Sequence, residues 1–118
     1  MAIPQILSVG KDRTLMASRT LILRGAGYRV EEAYSVDKAI KFVEADSIDA
    51  TLICHTVPRP ERQLLVAVIR EKRRLMPVLC IRSYAYEAPP STCIAVENEP
   101  ANLLDAVRLA IKQPESTA

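Results

Sequence analysis

The side chains in this sequence with the clearest capacity for chemistry are three cysteines and one histidine. Cys54 and His55 are adjacent, which places a thiol beside an imidazole, the two groups of a thiol nucleophile and its base. Adjacent residues of a strand point to opposite faces, however, so this pair does not converge. With one histidine and no close cysteine pair, a zinc site is poorly supported, and we expect no metal site. The odd, unpaired cysteines suit reduced thiols.

Three hypotheses about the role of Cys54 are open. Lys11 and Arg82 follow two other predicted strands, and the carboxyl ends of parallel strands share one edge of a sheet. Positive charge near a thiol favours the reactive thiolate, so Cys54 could serve a redox sensor or a thiol enzyme. The same two cations could instead attract a small anion to that edge. The reading that we favour is a small apolar residue at a buried strand end.

These residues have to be positioned by short apolar runs that alternate with amphipathic stretches along the chain. Strands are predicted at residues 6–9, 28–33, 49–54, 77–81 and 92–96. Helices are predicted at residues 14–24, 36–44 and 61–74, and from residue 100 onward. Strands that alternate with helices indicate an α/β fold with a doubly wound parallel sheet, covered on both faces.

The helices carry further local signals. Small and apolar residues recur at spacings of three and four in the first helix, which predicts its buried face: Leu15, Ser18, Ile22 and Ala26. Asp12 and Ser35 precede the first two helices and are predicted N-caps. The third helix has a basic end at residues 70–74. We interpret it as a solvated terminus, because cations favour the helix dipole there, and the alternative is a contact with an acidic partner or nucleic acid.

The connection between the fourth and fifth strands breaks the pattern. Residues 82–91 barely reach the length that a parallel crossover needs, and Pro89 and Pro90 forbid regular helix in the second half. We therefore predict that the helix here is shortened or missing. Tyr84 and Tyr86 lie in the same connection. Two interpretations are open: the tyrosines belong to a loop that binds a partner, or they bury core residues that the missing helix would otherwise have buried.

Composition narrows the class of protein. The 118 residues suit one domain, predicted at residues 1–112, with a flexible tail at 113–118. A net charge of +2 is too small to indicate nucleic acid or an acidic membrane surface as a partner. The aromatic fraction of 4% is too low for base stacking. No apolar run spans a membrane and no signal peptide is visible, so we expect a cytoplasmic protein.

The order and spacing of several motifs resemble the receiver domain of bacterial response regulators. The resemblance covers residues 5–112, and five segments carry it: residues 6–12, 26–30, 48–58, 77–81 and 100–104. It implies a five-stranded fold with flavodoxin-like strand order. It also implies a role in signal transduction, in a two-component or phosphorelay context.

The chemistry of that family is phosphoryl transfer to an aspartate beside a bound Mg²⁺. It uses two acidic residues after the first strand, an Asp ending the third, a Ser or Thr after the fourth and a Lys after the fifth. The positions that match them here carry other residues: Gly10, Lys11, Cys54, Arg82 and Val96. An ammonium group repels Mg²⁺, and a thiol is a soft ligand mismatched to it. We therefore expect a degenerate phosphorylation pocket with no catalytic residue and no cofactor.

The leading interpretation is a non-phosphorylatable receiver-like domain, which is not an enzyme and works by binding a protein partner or a second copy of itself. In receivers, the fourth helix, the fifth strand and the fifth helix usually form the signalling face. The candidate interaction surface here is therefore the altered connection, together with the outer side of the last helix. Its named residues are Tyr84, Tyr86, Pro89 and Pro90.

Overall fold

Five parallel strands form the centre of the fold. The computed structural model describes residues 3–45, 47–82, 94–97 and 100–112. The strands are β1 (Gln5–Val9), β2 (Arg29–Ala33), β3 (Ala50–Ile53), β4 (Val78–Arg82) and β5 (Ile94–Glu97). Their order in the sheet is β2-β1-β3-β4-β5, and every neighbouring pair is parallel. This is the flavodoxin-like order, so the predicted five-stranded, doubly wound sheet is confirmed.

Four helices accompany these strands in the described part of the chain. They are α1 (Arg13–Gly25), α2 (Val36–Glu44), α3 (Arg59–Lys72) and α4 (Pro100–Lys112). Every predicted strand and helix is present, and the predicted ends lie within about two residues of the observed ones. No helix among the described residues is both long enough and apolar enough to cross a membrane.

The helices cover the two faces of the sheet in pairs. On β1, Leu7 and Val9 point to one face and Ile6 to the other, as the strand period of two requires. α2 and α3 bury one face with five side chains: Ala39, Val43, Leu65, Val66 and Ile69. α1 and α4 bury the other face with four: Leu23, Leu103, Val107 and Ala110. A sheet covered on both faces needs apolar strands, and all four residues of β3 are buried.

α1 buries a different face from the one predicted. Its buried side chains are Met16, Arg19, Thr20 and Leu23. The predicted residues Ser18 and Ala26 are exposed instead, and Leu15 and Ile22 are half-buried. The stripe prediction was wrong because two of the buried positions are polar, and a pattern of apolar residues cannot register them.

The predicted helix caps are confirmed. The Asp12 carboxylate accepts a hydrogen bond from the backbone N–H of Leu15 at 3.1 Å, and the Ser35 hydroxyl accepts one from Lys38 at 3.2 Å. Each satisfies one backbone donor that the first turn of a helix leaves without a partner.

Part of the sequence prediction falls on residues that are not described. The connection at residues 82–91, whose helix was predicted to be shortened or missing, lies outside the described residues from residue 83 onward, and this part includes Tyr84, Tyr86, Pro89 and Pro90. The predicted tail at residues 113–118 also lies outside the described residues. These expectations stay predictions.

Candidate functional site

The carboxyl edge of the sheet gathers the residues that the sequence singled out. Gly10 follows β1 and donates its N–H to the carbonyl of Ala33 at 3.1 Å. Cys54 follows β3 and donates its N–H to the carbonyl of Val9 at 2.8 Å. Gly10 and Cys54 therefore lie side by side across neighbouring strands. Farther along the sheet, the backbone of Arg82 pairs in register with Glu97, and that of Ile81 with Val96.

Cys54 contacts a buried arginine. An N–H of the Arg19 guanidinium donates to the Cys54 sulfur, with Nη1 and Sγ 2.6 Å apart. Cys54 is 1% exposed and Arg19 is 5% exposed, so the pair is withdrawn from solvent. A guanidinium keeps its positive charge in proteins, and a buried charge requires hydrogen-bond acceptors. The contact with Cys54 therefore helps to keep Arg19 inside the fold.

Sequence reasoning missed Arg19. It proposed Lys11 and Arg82 as the cations near Cys54, because both follow strands at the same edge. The sequence signal that Arg19 is buried was its spacing from apolar residues. Arg19 lies three residues after Met16 and four before Leu23, so the three side chains share one face of α1. Arginine is mostly exposed in proteins, which is why this signal carried little weight.

Lys11 turns toward α3. Its ammonium nitrogen lies 3.0 Å from the Glu61 carboxylate, in a partly exposed salt bridge. Its backbone N–H donates to the hydroxyl of Thr56 at 2.9 Å. Lys11 thus ties the loop after β1 to the loop after β3 and to the first turn of α3. Among the described side chains, the cation in contact with Cys54 is Arg19. The side chains of Arg82 and Val96 lie outside the described part, so the predictions for them are not tested.

The space beside Gly10 is filled. A Cβ atom added at Gly10 would lie 2.7 Å from the sulfur of Met16 and 3.0 Å from the Cβ of Cys54. The Met16 sulfur also accepts a hydrogen bond from the Ser8 hydroxyl at 3.5 Å. Any side chain at position 10 must therefore displace Met16 or push against Cys54. Glycine fits this position without moving its neighbours, whereas a Cβ would require the flexible Met16 side chain to shift.

These residues do not fit Mg²⁺, the ion that the receiver fold implies. Gly10 provides no side-chain donor, Lys11 provides an ammonium, and the Cys54 thiol lies against a guanidinium. The nearby Asp12 carboxylate caps α1. A hard divalent cation requires oxygen ligands. Across the described ranges, no three His, Cys, Asp or Glu side chains are grouped as a metal site would require.

A polar cluster at the end of β2 fixes the start of α1. The Arg13 guanidinium lies over the Tyr34 ring, 4.2 Å from its centroid, and the Tyr34 hydroxyl donates to Glu32 at 2.9 Å. Thr20 of α1 also donates its hydroxyl to Glu32. Burial and the neighbouring Glu32 carboxylate raise the pKa of Tyr34 above its ordinary value of 10.0. These contacts anchor α1 to β2 and so help to orient Arg19.

Comparison with protein-family models gives no match, and neither does comparison with curated protein sequences. Solved structures do match. A response regulator receiver protein from Sinorhizobium medicae WSM419 is 24% identical, with a TM-score of 0.79 over 93% of this chain and 95% of that one. A CheY-like receiver domain from Methanospirillum hungatei JF-1 is 20% identical, with a TM-score of 0.85 over 99% and 100%. The chemotaxis protein CheY4 of Vibrio cholerae is 18% identical, with a TM-score of 0.77 over 92% and 99%. This chain has the receiver fold.

The filled space at Gly10 yields a stability prediction. We expect Gly10→Ala to lower the free energy of unfolding by about 1–3 kcal/mol, because the new methyl group overpacks against Met16. In a Met16→Ala background most of that cost should disappear, since the colliding sulfur is gone. Urea unfolding of the four proteins measures both values as a double-mutant cycle.

Gly25→Ala is the matched control. A Cβ at Gly25 meets no atom within 4 Å, so this substitution should not destabilise the protein. An equal cost of Gly10→Ala with and without Met16 would show that the close approach does not explain the glycine.

Proposed function

We propose that this chain is a receiver-like domain that accepts no phosphoryl group and acts in signal transduction by binding another protein. The observation that carries the proposal is the buried contact between Arg19 and Cys54. By the resemblance, Cys54 occupies the position of the phosphorylated aspartate. A thiol held against a guanidinium takes the place of a solvent-accessible carboxylate.

The physical case concerns access and charge together. A phosphoryl donor has to reach the nucleophile, and Cys54 is nearly inaccessible to solvent. The reaction also uses Mg²⁺ to neutralise phosphate charge, and the described residues at this edge offer no matching set of oxygen donors. On these grounds we propose that the domain accepts no phosphoryl group and that it is not an enzyme.

A domain without this chemistry acts through its surface. The candidate surface remains the segment that carries Tyr84, Tyr86, Pro89 and Pro90, together with the outer side of α4. On that helix Leu109 is 59% exposed, and the neighbouring Arg108 and Asp105 form an exposed salt bridge. Tyrosine side chains are common in protein interfaces, and Leu109 adds an exposed apolar side chain on α4.

Intact mass spectrometry tests the loss of phosphorylation. After incubation with acetyl phosphate and Mg²⁺, we expect no phosphoryl adduct on this protein, while a phosphorylatable receiver domain treated in parallel acquires one. Cys54→Asp should also stay unmodified, because restoring the carboxylate restores neither the metal ligands nor access. A stable adduct on the unaltered protein would overturn the proposal, and one on Cys54→Asp alone would show that only the nucleophile was lost.

Sedimentation equilibrium distinguishes the two kinds of protein partner. If a second copy is the partner, the average mass rises with concentration, and replacing Tyr84 and Tyr86 together by Ala should weaken the dimer about tenfold. Leu64→Ser on α3 is the control, because Leu64 is 54% exposed and α3 covers the face of the sheet opposite α4. A constant monomer mass would exclude self-association and leave a different protein as the partner.

The second candidate function is a thiol-based sensor or enzyme at Cys54. The Arg19 contact favours it, because positive charge near sulfur supports thiolate chemistry, whereas the burial of Cys54 opposes it. Binding of a small anion at the same edge has weaker support, because the Lys11 ammonium already pairs with Glu61.

Alkylation kinetics distinguish the hypothesis that Cys54 is a reactive thiol from the leading proposal. We expect Cys54 in the folded protein to react with iodoacetamide about tenfold more slowly than a free thiol, because reaction requires local opening. Peptide mapping by mass spectrometry distinguishes Cys54 from the other two cysteines, and unfolding in urea should restore the free-thiol rate. Faster reaction than a free thiol, slowed by Arg19→Met, would favour the sensor instead.

A further inference from the structure

A groove lies at the amino edge of the sheet, opposite the candidate functional site. It has a volume of about 490 Å³ and opens between the end of α3 and the start of β3 and β4. Its lining residues are Asp49, Arg73, Arg74, Leu75, Met76 and Pro77. The volume falls in the range of protein binding sites.

Hydrogen bonds fix the wall of the groove. The Arg70 guanidinium donates to the carbonyl of Met76 at 2.6 Å and to that of Arg74 at 3.3 Å. The Arg73 guanidinium donates to the carbonyls of Val43 and Ile48 at 3.5 and 3.3 Å. The turn between α3 and β4 is therefore held to its own helix and to the end of α2.

The floor and the opposite wall are fixed as well. The Met76 sulfur accepts a hydrogen bond from the buried Thr51 hydroxyl at 3.1 Å, which holds Met76 inside the fold. The Asp49 carboxylate accepts the backbone N–H of Gln5 at 2.7 Å, so this acid on the groove is engaged within the protein. A groove with fixed walls loses little conformational entropy when it binds a partner.

Two side chains of the fixed turn point outward. Leu75 is 73% exposed, and Arg74 beside it is also exposed. A single exposed leucine is ordinary. Here, however, it stands on an anchored turn, next to a groove and an arginine, and four of the five residues from Arg70 to Arg74 are basic. The turn thus combines a cationic and an apolar contact at one site.

We propose that this amino-edge groove binds an acidic segment of a partner protein, with an apolar side chain between carboxylates. Carboxylates on the segment pair with Arg74, and the apolar side chain packs on Leu75 and Pro77. Charge complementarity favours an acidic occupant, because the described lining residues include two arginines and one acid, and Arg74 presents its charge on the exposed side of the turn. The exposed Leu75 favours a segment with apolar surface over a small inorganic anion. This inference goes beyond the proposed function, because it concerns a different surface. It holds whether or not the domain accepts a phosphoryl group.

Fluorescence anisotropy with a labelled probe tests the groove. The probe is a fluorescein-tagged peptide, acetyl-Glu-Asp-Leu-Asp-Glu-amide, titrated with the full chain at about 0.05 M salt. We expect saturable binding that Arg74→Glu weakens about tenfold and Leu75→Ser about fivefold. Raising the salt to about 0.5 M should weaken the binding of the peptide to the unaltered protein, because the Debye length shortens. Both side chains are exposed, so the urea midpoints of the variants should stay close to that of the unaltered protein.

Matched controls separate the groove from general attraction to a basic protein. Lys38→Glu makes the same charge change at an exposed position in the first turn of α2, at the opposite edge of the sheet, and should weaken binding less than about twofold. A peptide with Gln and Asn in place of the acids should bind at least about tenfold more weakly. The proposal fails if the acidic peptide does not saturate, or if Lys38→Glu weakens binding as much as Arg74→Glu. Full displacement by millimolar inorganic phosphate would assign the groove to a small anion instead. The phosphorylation assay reads a separate property, so either proposal can fail alone.

Discussion

The buried guanidinium of Arg19 is the constraint on which the carboxyl edge of this fold depends. Removing a charge from water costs several kcal/mol unless hydrogen bonds compensate for the lost hydration. The Cys54 sulfur supplies one such acceptor, and it is available only if α1 turns its Arg19 side toward β3. That rotation also brings Met16 toward Gly10 and Thr20 toward Glu32. The face of α1 that carries Arg19 therefore also carries the side chains that fill the space beside Gly10 and anchor the helix to β2.

The same packing limits the space for metal ligands at the end of β1. Acidic residues at the end of β1 would need space for side chains, and at Gly10 that space contains the Met16 sulfur and the Cys54 Cβ. Lys11 next to it is engaged with Glu61 and Thr56, which binds the loop to α3. Replacing one residue would leave the others in place. The departures from the receiver pattern therefore support one another structurally.

The sequence predicted the architecture well because buried parallel strands leave a strong signal. All four residues of β3 are buried, and its apolar run reflects a sheet covered on both faces. The caps at Asp12 and Ser35 followed from local chemistry alone. The buried face of α1 could not be predicted from local chemistry, because two of its four buried residues are polar and pair with groups distant in sequence. Which acceptor a buried Arg19 finds depends on how β3 packs against α1, and no local pattern contains that information.

The proposed function has a consequence for how such a domain could be regulated. A receiver that accepts a phosphoryl group has two covalent states, and the modification shifts the population between two conformations. A domain without that reaction has no covalent input at this site, so its effect on a partner is set by concentration and affinity. The surface that binds the partner then has to hold its binding geometry before the partner arrives. The turn from Arg73 to Met76, held by guanidinium bonds to four backbone carbonyls, has this property at the amino edge. At the carboxyl edge, the Arg19–Cys54 contact involves the position that the resemblance assigns to the phosphorylated aspartate.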